Sequence, residues 1–125
     1  MEATKKILVV DDSATFRRLV IFHLQKLPQI EIVEAASGLE AVEKLSLQRF
    51  DVVITDLIMP GMDGLKLINY IKSAADLKDT YTIIVTTKGQ EQDQKRGMEL
   101  GASAYISKPI TAGELLNAVK KGLKL

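Results

Sequence analysis

The chain has 125 residues, with 17 Lys plus Arg against 16 Asp plus Glu and no cysteine. That length suits a single domain over 1–125, able to bury roughly two thirds of its unfolded surface without a disulfide or structural metal. The missing thiols exclude a disulfide scaffold, Cys-ligated zinc and a thiol nucleophile, and the balanced charge gives no pull toward nucleic acid or a membrane surface.

Residues 7–10, Ile-Leu-Val-Val, form the longest aliphatic run, far short of a membrane span. They read as a strand starting so soon after Met1 that no signal peptide fits, and a cytoplasmic location is expected. Phe16, Leu19, Val20, His23, Leu24 and Leu27 then follow the i, i+3, i+4, i+7 stripe of a half-buried helix, stopped by Pro28. His23, the only histidine, lies on that stripe and reads as structural, while Ile21 and Phe22 fall outside it. Residues 32–36 make a weaker strand. Ser37-x-x-Glu40 fits a capping box at the next helix start. Residues 52–55 are a strand that runs into Asp56, after which Pro60, Gly61 and Gly64 break regular structure.

Residues 83–86 form a fourth strand. Residues 90–100 make a strongly polar helix, with Gly97 inside it about 1 kcal/mol less favourable than Ala. Gly101 suits a left-handed helix stop. Residues 104–107 are the fifth strand, and Thr111-x-x-Glu114 fits a second capping box. Continuous β-branched runs suit strands buried on both faces of a parallel sheet. Strand and helix alternate five times, which implies an α/β fold with helices on both faces.

The polar residues collect at the strand ends. Asp11 and Asp12 follow the first strand, Asp56 the third and Lys108 the fifth, while Thr86 ends the fourth. In a parallel sheet these positions share the carboxyl edge, where open α/β sheets bind ligands. Each has an ordinary reading alone. Asp11-Asp12 can cap a helix, Asp56 can precede a Pro-Gly turn, Thr86 can be a strand β-branched residue and Lys108 a solvated one. Their shared placement points to a site. Like charges about 4 Å apart cost on the order of 4 kcal/mol per pair at an effective dielectric near 20. Either one acid protonates or a cation binds, and all-oxygen ligands favour Mg²⁺ or a similar ion such as Mn²⁺. Acids, a hard cation, a lysine and a hydroxyl suit a phosphoryl group, and a carboxylate can be its nucleophile.

Four segments carry a resemblance: ILVVDDS at 7–13, DVVITDLIMPGMDG at 51–64, IIVTT at 83–87 and GASAYISKP at 101–109. With these in order, the chain resembles the receiver domain of two-component response regulators, especially the stand-alone chemotaxis CheY type. The resemblance implies a doubly wound five-stranded parallel sheet of order 2-1-3-4-5 with five helices. It implies Asp56 as phosphoacceptor, Asp12 as direct metal ligand and Asp11 as holder of a metal-bound water. Asp56 and the Ile58 backbone carbonyl would complete the protein ligands. Lys108 would pair with Asp56 or its phosphoryl group, Thr86 would donate to a phosphoryl oxygen, and Tyr105 would be the aromatic switch. The peptide bond between Lys108 and Pro109 would be cis.

The implied function is a phosphorylation-activated switch rather than an enzyme. The donor would be a sensor histidine kinase, and output would run through the fourth helix, fifth strand and fifth helix. Neither nucleic acid nor a membrane is expected as a partner, and a monomer is expected. Ile58, Thr87 and Lys88 occupy positions that tune phosphoryl lifetime, and the apolar Ile58 suggests slow self-dephosphorylation. The polar fourth helix reads either as a solvated face or as an element free to move on activation.

Rival readings are weaker in the sequence. A haloacid-dehalogenase-type phosphatase would need D-x-D-x-[TV] after the first strand, where Asp11-Asp12-Ser13-Ala14-Thr15 stands. A flavodoxin-like module would need a Ser/Thr-Gly-rich loop there. The sequence bounds favour a stand-alone protein. A receiver from a hybrid kinase or transcription factor, or a phosphorelay intermediate, is the alternative.

Overall fold

A computed structural model describes residues 4–87 and 91–125. Lys88 and Gln90 lie outside the described residues. The elements run β1 (Lys5–Val10), α1 (Ala14–Leu24), β2 (Ile30–Ala35), α2 (Gly38–Leu47), β3 (Val52–Asp56), α3 (Gly64–Ser73), β4 (Tyr81–Thr87), α4 (Glu91–Glu99), β5 (Ala104–Lys108) and α5 (Ala112–Leu123). The strands form one parallel sheet of order β2-β1-β3-β4-β5, as the resemblance implied.

Alternation along the strands separates two cores. Ile7, Val9, Val52, Ile54, Ile83, Val85 and Ile106 face α1 and α5, meeting Val20, Leu24, Leu115, Val119 and Leu123. Leu8, Val10 and Val53 face the other way, onto Ala41, Leu45, Leu67 and Ile71 of α2 and α3. Ile84 joins Leu57, Ile68 and Ala102 in a smaller cluster near α4. All five β3 residues are buried, including Asp56. This central strand is pinned from both faces, so its last residue is held by the whole sheet.

The caps explain most helix starts. Ser37 Oγ accepts from Glu40 N at 3.1 Å and Thr111 Oγ1 from Glu114 N at 3.2 Å, as the two boxes suggested. Two further caps appear. Ser13 Oγ accepts from Phe16 N at 3.2 Å and Asp63 Oδ1 from Lys66 N at 3.0 Å. Helix α1 therefore starts on Ser13 rather than on the acid pair, which leaves both acids to the loop.

Three local expectations need adjustment. Helix α1 ends at Leu24, four residues before Pro28, and Leu27 is buried by a turn that follows the helix. Leu19 is 43% exposed, because the face that packs is the narrower line of Val20, Leu24 and Leu27. Gly97 is the one buried residue of α4, and a Cβ there would lie 2.3 Å from Ile84 Cδ1. The glycine admits close helix–sheet approach, which offsets its poor helix propensity. Gly101 has φ of +114° and ends the α4 segment, as expected. Among the described residues, no helix is long and apolar enough to cross a membrane.

Candidate phosphoacceptor and metal site

The register brings the strand ends together. Val10 pairs with Thr55, so Asp11 and Asp56 leave neighbouring strands side by side. Asp56 pairs with Val85, and Thr87 with Lys108. Carboxylate oxygens of Asp11, Asp12 and Asp56 lie within 4.8 Å of one another. Asp11 is 1% exposed and Asp56 9%, whereas Asp12 is open to solvent.

Each buried acid is held by short local contacts. Asp11 Oδ1 accepts from Ser13 N at 2.8 Å. Asp56 Oδ1 lies 3.4 Å from Ile58 N, and Thr55 Oγ1 donates to the Asp56 carbonyl at 3.0 Å. The Lys108 ammonium stands between the two acids, 3.2 Å from Asp56 Oδ2 and 3.5 Å from Asp11 Oδ2. Among the described residues, buried Asp11 Oδ2 nevertheless finds no hydrogen-bond partner. Burial pushes the Asp11 carboxyl above the usual carboxylate range, and the Asp56 and Asp12 charges add to the rise. The Ser13 N–H and Lys108 pull the other way without overcoming it.

Three carboxylates facing one ammonium leave excess negative charge in a partly dry site. Oxygen-only donors, an orphaned buried oxygen and an exposed third carboxylate fit a hard divalent cation that keeps several waters. Among the described residues, Asp11, Asp12 and Asp56 are the side chains available to hold one.

Thr86 is 2% exposed, and its hydroxyl donates to the Thr87 carbonyl at 3.3 Å. Tyr105, the second residue of β5, is 47% exposed. Ile58 is 56% exposed beside Asp56. The bond between Lys108 and Pro109 is cis. Acids, lysine and hydroxyl thus occupy the carboxyl edge of one sheet, while Tyr105 lies earlier on β5, paired with Ile84. A family profile described as "Response regulator receiver domain" matches residues 7–120.

The chain belongs to the response regulator receiver family. Among curated relatives of this receiver domain, it is 39% identical over 119 residues to the transcriptional regulatory protein ResD of Bacillus subtilis. That match covers 95% of this chain and 48% of ResD. It is also 39% identical over 107 residues to chemotaxis protein CheY1 of Helicobacter pylori, covering 85% of this chain and 86% of CheY1. The chain thus spans about half the length of ResD. The crystal structure of the signal receiver domain of a Syntrophus aciditrophicus signal transduction histidine kinase superposes with a TM-score of 0.89 at 34% identity. It covers 97% of this chain and 91% of the other.

Several residues at the receiver site escaped the sequence reading. Arg17 donates through a terminal guanidinium nitrogen to the Asp11 carbonyl at 2.6 Å and through Nε to Glu34 at 2.9 Å, tying the β1–α1 loop to β2. Phe16, read only as part of a core stripe, lies under the Lys108 ammonium. Gly64 abuts the Asp56 carbonyl, where a Cβ would come within 2.2 Å. A helix cap at Ser13 would have placed Phe16 and Arg17 in a first turn at the sheet's carboxyl edge. That was the available signal for both.

Proposed function

We propose that this receiver domain is a phosphorylation-activated signalling switch that accepts a phosphoryl group on Asp56 from a sensor histidine kinase, with Mg²⁺ or Mn²⁺ bound beside it. The observation that carries the reading is the Lys108 ammonium seated between Asp56 and Asp11 at the mouth of a three-carboxylate cluster. Asp12, Asp56 and the Ile58 carbonyl would hold the cation, with Asp11 acting through a bound water. The cation would supply positive charge to neutralise the approach of an anionic phosphoryl group to anionic carboxylates.

In the transfer, an Asp56 Oδ attacks phosphorus. The bond from phosphorus to the donor imidazole nitrogen breaks, and its electron pair stays with the imidazole. The rigid burial of β3 fixes the attacking oxygen, so little orientational freedom is lost at the moment of reaction. Lys108 then moves its hydrogen bond from the carboxylate to a phosphoryl oxygen. Thr86 gives up its Thr87 carbonyl contact and donates to another, and Tyr105 turns inward toward the space Thr86 leaves. The phosphoryl group shifts an existing equilibrium by the difference of its contacts in the two states. Hydrolysis returns Asp56 to the carboxylate and releases phosphate.

Output through the α4–β5–α5 face agrees with the exposure of Tyr105, Met98 and Leu100 there. The reading as a cytoplasmic, monomeric switch of stand-alone chemotaxis type has in its favour, for the chemotaxis type alone, the 86% coverage of CheY1. The second reading, a receiver within a larger regulator, has the half-length match to ResD in its favour. Beryllofluoride with Mg²⁺ tests the reading directly. Amide resonances of Thr86, Tyr105 and Lys108 should shift together in wild type and stay still in Asp56→Asn. Equal shifts in both proteins would refute it.

A further inference from the structure

Among the described residues, the Lys108 ammonium has three close partners. Two are carboxylates, and the third is the Phe16 ring, whose centroid lies 4.1 Å from Nζ. A cation centred on an aromatic face is attracted by the ring quadrupole, and the attraction grows as water is excluded. The Lys108 side chain is only 24% exposed, so the site is partly desolvated.

Phe16 is itself fixed. Its N–H donates to the Ser13 cap at 3.2 Å, which sets the first turn of α1, and its side chain packs against the core of β1, β3 and α5. A phenyl ring accepts no conventional hydrogen bond. It therefore steadies the ammonium while leaving all three N–H donors for carboxylate or phosphoryl oxygens. An aliphatic side chain of similar volume would fill the space without the attraction.

We propose that Phe16 is a positioning residue for Lys108, holding the ammonium over Asp56 so that it meets an incoming phosphoryl oxygen without first being ordered. Lysine's four-carbon stem carries substantial rotamer freedom, and confining it beforehand removes that cost from the transfer step. The inference rests on reading Asp56 as phosphoacceptor and Lys108 as its partner.

The test uses the full chain with mono-, di- and trifluorophenylalanine placed at position 16. These rings keep the shape while weakening the quadrupole stepwise. Acetyl phosphate with Mg²⁺ serves as donor. The Asp56 oxygen bonds to phosphorus, the bond from phosphorus to the acetyl oxygen breaks, and acetate leaves with the electron pair. The phosphorylation rate should fall by about three- to tenfold across the series, with the urea unfolding midpoint unchanged. Independently of rate, the Lys108 ε-methylene protons should be shifted upfield by the ring in wild type and lose that shift in Phe16→Leu. A flat rate series with normal wild-type phosphorylation on Asp56 would overturn this inference alone, as would unshifted Lys108 protons in wild type. Failure of wild type to take a phosphoryl group on Asp56 would overturn the underlying reading, and the inference with it.

Discussion

Replacing Gly64 by alanine probes how the acceptor strand is joined to its helix. A Cβ at this position would lie 2.2 Å from the Asp56 carbonyl oxygen, 2.8 Å from Leu57 Cα and 3.0 Å from the Asp56 carbonyl carbon. The first distance is roughly 1 Å short of ordinary contact. All three neighbours are backbone, so no side chain can swing aside. The Gly64 N–H also donates to the Leu57 carbonyl at 2.8 Å, closing the loop that carries Ile58. Relief requires α3 to move off β3, or the loop to open.

Overpacking of this kind costs about 1–3 kcal/mol. Little is recovered from helix propensity, because Gly64 is the first helical residue. Urea denaturation should show that loss, equivalent to about 4 °C in Tm per kcal/mol for a chain of this size. Gly113→Ala is the control. Nothing lies within 4 Å of a Cβ there, and stability should hold or rise by up to about 1 kcal/mol. Mg²⁺ affinity should fall in Gly64→Ala and not in Gly113→Ala, since only the first displaces Asp56 and the Ile58 carbonyl. Equal stability and equal Mg²⁺ affinity in the two variants would refute the argument.

Three further outcomes are expected. Asp11 holds its proton more tightly folded than unfolded, so its contribution to stability is fully present below the ordinary value of 3.8 and is lost as pH rises through the higher native value. Without Mg²⁺, wild type should therefore lose stability relative to Asp11→Asn as pH rises toward neutrality, and Mg²⁺ should restore it. A pH-independent difference would contradict this. Ile58→Asn should speed phosphoryl loss from Asp56 several-fold by giving the attacking water a polar neighbour, and an unchanged decay rate would sink that explanation. Helix α4 buries only Gly97, so its amides should exchange well before those of β3 in the unphosphorylated protein. Equal protection would count against a mobile α4.

The sheet was legible because its strands are buried on both faces, which writes unbroken β-branched runs into the chain at 7–10, 52–55 and 83–86. The site was legible for a related reason: Asp11, Asp56 and Thr86 lie where those runs stop, and Lys108 follows the fifth strand at 104–107. Less visible were the contacts that depend on distance across elements. Leu19 satisfies the helical period as well as Val20 does, yet only the sheet decides which of them is covered. Ser13 and Asp12 are equally good caps on paper, and the hydrogen bond from Phe16 N to Ser13 Oγ decides between them. Gly64 and Gly97 read as breakers, but their reason is the backbone of Asp56 and the side chain of Ile84. Phe16 fits a core stripe and also meets Lys108, a partner far away in sequence that no local pattern announces.

The most direct test of the central claim is the intact mass of the protein after incubation with acetyl phosphate and Mg²⁺. Wild type should gain one phosphoryl group, lost again on alkaline hydroxylamine treatment as an acyl phosphate should be, and Asp56→Asn should gain none. A phosphoryl group retained on Asp56→Asn, or none on wild type, would contradict the account.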